Sequence, residues 1–392
     1  MRDLAAVASL AILLLVSACG GGSNDTSFTA ANVQPVTVDP GPANNVNLLF
    51  TTVTICAPGS TSNCQSIDHV LVDTGSTGLR ILSSLLSLSL PQQTDAVGNP
   101  IVECGQFADG VTWGPVKLAD VRIAGELASS TPIQVIADPG FAVVPASCSS
   151  IGPAENTALA LGANGVLGVG VFQQDCGILC ALSAIPGTYY VCPPSGCQVV
   201  QASLTQQLQN PVGLFFLDNN GVIIALPPVP DMGTDGVSGS LIFGIGTQGN
   251  NGLANAQVIP VDPNTGTFTT FLNAVTYSNS IIDSGSNALY FADGSIPACS
   301  SNPGFDCPAS TQSLFATNQG TGGAASIVNF DVANAQTLFS ANPTFIAFSN
   351  LAGTNPDATS FDWGLPFFFG RNVFTAIEGQ DTPAGFGPYV AY

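Results

Sequence analysis

Two short strings constrain this chain more than anything else in it. His69-Val70-Leu71-Val72-Asp73-Thr74-Gly75-Ser76 and Ser280-Ile281-Ile282-Asp283-Ser284-Gly285-Ser286 follow one plan: branched aliphatics, then Asp, a hydroxyl residue, Gly and Ser. Branched aliphatics favour a buried strand, and the Gly permits a tight turn directly after the acid. Each copy therefore points a carboxylate out of the end of a buried strand. A single Asp-Thr-Gly-Ser is a common loop string. Two copies, each behind a strand-like run and more than two hundred positions apart, are hard to obtain by chance.

The remaining sequence suits strands better than helices. Short apolar runs alternate with turn residues, among them 43 Gly and 28 Pro in 392 residues, which predicts an all-β protein. Helical spacing is sparse: Leu82 to Leu90 and Ala202 to Leu208 are each expected to form a short helix. The net charge is −20, with 25 acidic and 5 basic residues. That balance argues against nucleic acid or an anionic lipid surface as a partner. His69 is the only histidine, so a Ser-His-Asp triad or a His-based metal site lacks material. No metal and no cofactor is expected.

At the N-terminus, Arg2 precedes an apolar run from Leu4 to Val16 that is too short to anchor in a bilayer. It ends in Val16-Ser17-Ala18-Cys19-Gly20-Gly21-Gly22. This resembles a bacterial lipobox, with Cys19 as the lipidated residue; the alternative is an ordinary signal peptide cleaved near Ala18. The lipobox reading makes 1–18 a leader and 19–44 a Gly/Ser/Asn/Pro-rich tether. It places the protein at the cell envelope through an N-terminal lipid. No Asp follows Cys19, which points to the outer membrane.

Ten cysteines remain, an even number in an exported chain, and they read as disulfides. Cys56–Cys64 and Cys299–Cys307 close short loops, and Cys104–Cys148 is a further candidate. Cys176, Cys180, Cys192 and Cys197 are expected to pair in nested fashion across one hairpin, with a zinc site as the weaker alternative.

Other stretches repeat or extend the plan. Gly165-Val166-Leu167-Gly168 follows the first motif, and Pro366-Phe367-Phe368-Phe369-Gly370 follows the second; each holds an apolar pair and a Gly. With Ser238-Gly239-Ser240-Leu241-Ile242-Phe243-Gly244, Val258-Ile259-Pro260-Val261 and Gly385-Phe386-Gly387-Pro388, the chain resembles the pepsin-type aspartic peptidases over most of its length. The resemblance implies an all-β, bilobal fold with a central cleft and pseudo-two-fold related lobes, here 45–205 and 206–392. It implies a monomer that hydrolyses peptide or protein substrates bound in extended form.

The chemistry such a site needs is simple. A water held between Asp73 and Asp283 is activated by one carboxylate while the other, protonated, bonds the scissile carbonyl. Two close carboxylates cannot both ionise cheaply, so they share a proton. Gly75 and Gly285 permit the turns, and Ser76 and Ser286 are expected to donate to the adjacent Asp. The resemblance implies that the Thr74 and Ser284 hydroxyls bond across the lobe interface.

Two positions depart from the family pattern. Phe107 stands where the flap carries a Tyr, and Arg80 stands seven residues after Asp73, where the family has the Trp that bonds that Tyr. A cation over the Phe107 ring, or Trp113, is expected to fill the gap; alternatively Arg80 points into solvent. Arg80 near the cleft would favour ionised carboxylates there. No Lys or Arg lies between Cys19 and Arg80, so a basic pro-segment like that of pepsin-type zymogens is not expected. Three readings of function stand: an endopeptidase, a lipoprotein of the same fold that binds peptides or envelope components without cleaving them, or a structural or assembly lipoprotein whose resemblance is incidental.

Overall fold

The computed structural model describes residues 31–392. The chain is built from strands, and what places the site is how each motif strand is threaded. Cys64–Asp73 runs parallel to Gly165–Val169, with Asp73 in register with Gly168. The chain then turns at Thr74–Ser76 and returns as Thr77–Leu82, which pairs antiparallel with the other edge of Gly165–Val169. The inserted strand thus lies between the two arms of the motif. Branched side chains drive this: Val70, Val72, Leu79, Ile81, Leu167 and Val169 are all fully buried, so both arms and the insert face one core.

The second motif repeats the threading. Val275–Ile282 runs parallel to Phe361–Trp363, and Leu289–Phe291 pairs with its other edge. Where the insert passes the turn, no side chain fits. A Cβ on Gly168 would lie 2.5 Å from the Thr77 nitrogen, and one on Gly364 would lie 2.1 Å from the Ala288 oxygen.

The two lobes fill their cores differently. The first is mainly aliphatic. The second stacks Phe361 on Trp363 with centroids 4.1 Å apart, and Phe291 on Phe361 at 4.6 Å. Between the lobes lies an antiparallel layer of six strands in the order Val33–Val38, Val237–Phe243, Gly221–Ala225, Asn372–Ala376, Tyr389–Ala391, Val258–Pro260. Strands from both halves of the chain build it, so the lobes share a floor. The second lobe adds a seven-stranded sheet that contains its motif strand.

Six expectations need correction. Residues 33–38, placed in the tether, form a strand of the shared layer, paired from Val33↔Ile242 to Val38↔Val237; Val36 and Val38 alternate into the core, a pattern hidden by the Pro- and Asn-rich surroundings. The expected helix at 82–90 is a single 3-10 turn, Ser83–Leu85, and 202–208 is a turn without a helix. The Gly that matches Gly168 is Gly364, not Gly370, because Ile282 is in register with Trp363. Gly385–Phe386 forms a small exposed hairpin with Asp381–Thr382, and Tyr389–Ala391 supplies the closing strand. The clustered cysteines pair sequentially, Cys176–Cys180 and Cys192–Cys197, rather than nested. Cys56–Cys64, Cys104–Cys148 and Cys299–Cys307 are disulfides as expected. Cys19 and the leader lie outside the described residues.

Candidate active site

The two turns meet back to back at the lobe interface. The Thr74 hydroxyl donates to the Ile282 carbonyl at 3.0 Å and accepts from the Ser284 N–H at 2.9 Å. The Ser284 hydroxyl donates to the Val72 carbonyl at 2.7 Å and accepts from the Thr74 N–H at 3.1 Å. Thr74 and Ser284 are both buried, so these four bonds have no competition from water. They tie residue 72 to residue 284, and residue 74 to residue 282, across the whole chain.

This grip puts Asp73 and Asp283 together. A Cβ on Gly285 would lie 2.7 Å from Asp73 Oδ1 and 3.1 Å from Asp283 Oδ1. One point in space is therefore near both carboxylates. A Cβ on Gly75 would lie 2.6 Å from Asp283 Cγ, so both turn glycines are needed for the approach. Each carboxylate is oriented from its own turn. The Gly75 N–H donates to Asp73 Oδ1 at 2.8 Å and Ser76 donates to Oδ2. The Gly285 N–H donates to Asp283 Oδ1 at 2.7 Å and Ser286 lies 2.9 Å from Oδ2. Burial, and then the neighbouring Asp283 charge, push the Asp73 carboxyl well above the usual carboxylate range.

The stretch expected to form the flap is a hairpin of Ile101–Gln106 and Val111–Ile123, closed by Phe107 N–H to the Gly110 carbonyl at 2.9 Å. Arg80 does not point into solvent. It is buried, with its guanidinium 5.5 Å from the centroid of the Phe107 ring, so a cation–π contact joins the two departures from the family pattern. Trp113 instead packs edge-on against Tyr190 and donates to the Phe141 carbonyl at 2.8 Å. Nor is Arg80 a counter-charge for the dyad. It bonds Glu103 at 2.5 Å and lies 3.5 Å from Asp175, so its charge is spent there. Tyr189 donates to Asp175 at 2.7 Å. Burial and the Glu103 charge push Asp175 well up, against the opposing pull of Arg80.

Sequence reasoning missed four acids. Glu103 and Asp175 hold Arg80. Glu155 follows a loop that bonds the start of the hairpin's second strand, with Val111 N–H to the Pro153 carbonyl and Glu155 N–H to the Val111 carbonyl, both 2.9 Å. Burial, and then Asp109 at the flap turn, push Glu155 up to about 8. The fourth, Asp362, sits in Phe361-Asp362-Trp363-Gly364; a lone acid in an aromatic strand was the available signal.

A family model described as "Protein of unknown function (DUF3443)" matches residues 28–392. No curated protein matches the chain in sequence. Among solved structures, the aspartic proteinase from Irpex lacteus is similar at a TM-score of 0.51 and 15% identity, over 92% of this chain and 96% of that one. At that identity the likeness establishes a pepsin-like fold and no more.

Two outcomes follow from this geometry. Ser284→Ala leaves the Thr74 N–H and the Val72 carbonyl buried without a partner, which costs about 3 kcal/mol in urea unfolding; a loss under about 0.5 kcal/mol would mean the grip is incidental. For Glu155, the folded state keeps a proton up to about pH 8 that an unfolded Glu releases near its ordinary value. Folded protein therefore binds more protons across that window, and its stability falls as pH rises. The melting temperature of the native protein should drop relative to Glu155→Gln between about pH 5 and about pH 8. A pH-independent difference would remove Glu155 from the account.

Proposed function

The chain belongs to the DUF3443 family, and we propose that it is an aspartic endopeptidase working through Asp73 and Asp283. The observation that carries this reading is the pair of separately oriented carboxylates, Asp73 buried and Asp283 half-buried, that share one point in space at the meeting of two turns. A water there lies within reach of both. One carboxylate takes its proton as the oxygen attacks the scissile carbonyl, and the other carboxyl, protonated, bonds the carbonyl oxygen. Collapse of the tetrahedral intermediate returns a proton to the leaving amine. No covalent enzyme intermediate is needed.

The elevated Asp73 carboxyl fits this role, because a pair that shares one proton works only while that proton is held. The substrate in this reading is an unfolded segment or exposed loop, bound in extended form beneath the flap as an added strand. The flap hairpin carries Phe107, braced by Arg80 from below. We further propose that the protein acts as a monomer at the cell envelope, held through a lipid on Cys19.

A second reading is favoured by one observation. Phe107 has no hydroxyl, so the flap lacks the polar contact of the pepsin-type flap, and a peptide-binding protein of the same fold needs no such contact. Digestion of a mixed peptide library at several pH values separates the two. The peptidase reading predicts acid-dependent cleavage that a statine-type transition-state mimic blocks. It predicts that Asp73→Asn and Asp283→Asn each lower the rate about 10³-fold with the fold intact. Cleavage retained in both variants rules out the dyad. Tight peptide binding without turnover in the native protein selects the binding reading.

A further inference from the structure

The two halves of the site differ at one position of the inserted strand. In the first lobe Val166 occupies the insert position in register with Leu71. The second lobe has Asp362 there, in register with Ile281. Ser286 lies 2.5 Å from Asp362 Oδ2 and 2.9 Å from Asp283 Oδ2. A serine hydroxyl carries one proton and can donate to only one of these oxygens. The other contact is a hydrogen bond only if that carboxyl is itself protonated and donates to Ser286.

The remaining Asp362 oxygen decides which. Asp362 Oδ1 is buried and has no hydrogen-bond partner. A neutral carboxyl tolerates a bare carbonyl oxygen, whereas a carboxylate there would be an unsolvated charge. Asp283, by contrast, receives the Gly285 N–H on its other oxygen. The groups that face Asp362 agree with this. Asp283 lies at the end of the parallel neighbour, Asp73 beyond it, and Tyr290 is in register on the antiparallel neighbour. Neither Arg nor Lys is among the charges acting on it, and burial followed by the Asp283 charge raises its carboxyl well above the ordinary range.

We propose that Asp362 is a positioning residue for the dyad: a neutral carboxyl that donates to Ser286, so that Ser286 must donate to Asp283 and holds Asp283 as the charged partner. The proton shared by the pair then resides on Asp73. This inference rests on the reading of Asp73 and Asp283 as a working pair, and it adds a direction to a site that is otherwise two-fold symmetric.

Two variants and two readouts test it. Asp362→Val installs the residue that the first lobe carries. Asp362→Asn is neutral at every pH and keeps a donor for Ser286. Infrared difference spectra at neutral pH should show that Asp362→Asn removes a protonated-carboxyl band from the native spectrum. Loss from the carboxylate bands instead would overturn the proposal, whether or not the protein cleaves peptides. In the pH profile of kcat/KM, Asp362→Val should move the acid limb upward by about one pH unit and lower the plateau about tenfold. Asp362→Asn should restore the native limb. Variants that match each other, or a valine variant that matches the native enzyme, would reduce Asp362 to filler. Absence of any turnover that Asp73→Asn abolishes would sink the peptidase reading instead, while the infrared result still decides the protonation state.

Discussion

Everything at the centre of this molecule hangs on the exchange of hydrogen bonds between Thr74 and Ser284. Each hydroxyl accepts from the backbone of the opposite turn and donates to the carbonyl before the opposite acid. The exchange is reciprocal, so neither turn can shift without breaking two bonds in a dry setting. It is also what brings two carboxylates into one small volume, where their mutual repulsion would otherwise separate them. The rest of the fold supplies the conditions: buried strands that end at the turns, glycines that admit the close approach, and a shared six-stranded floor that holds the lobes in one relation.

Within that common frame the two lobes carry different polar fillings. The seventh residue after each acid faces the insert strand in the same register: Arg80 opposite Val166, and Tyr290 opposite Asp362. In the first lobe the cation is neutralised by Glu103 and Asp175 and supports Phe107 of the flap. In the second, an uncompensated acid reaches the dyad through Ser286. A repeated scaffold with similar turns thus acquires two unlike sides, one that sets a cation beside Phe107 and one that, in our proposal, biases the proton. Asymmetry of that kind is what a water-activating pair requires, since its two members must do different things.

Much of this was legible in the sequence because the signals were local. Asp-Thr-Gly-Ser and Asp-Ser-Gly-Ser behind aliphatic runs mark both turns, and the pairing of Arg80 with Phe107 was readable as a cation set near a ring. What escaped depends on register and on contacts distant in the chain. Gly364 was passed over for Gly370 because both follow apolar residues, and only strand pairing shows which one meets Asp283. Val33–Val38 was hidden because its two inward valines come late in a short run that holds Gln34, Pro35 and Thr37, and its partner strand lies some two hundred positions away. Asp362, Glu155 and Asp175 carry no motif of their own. Their surroundings, not their neighbours in sequence, give them unusual protonation.

The most direct test is a crystal structure grown in acid with a statine-type peptide bound. The account predicts the statine hydroxyl within hydrogen-bonding distance of both Asp73 and Asp283, with the peptide extended beneath Phe107. A peptide seated elsewhere, or a hydroxyl that touches neither carboxylate, would contradict it.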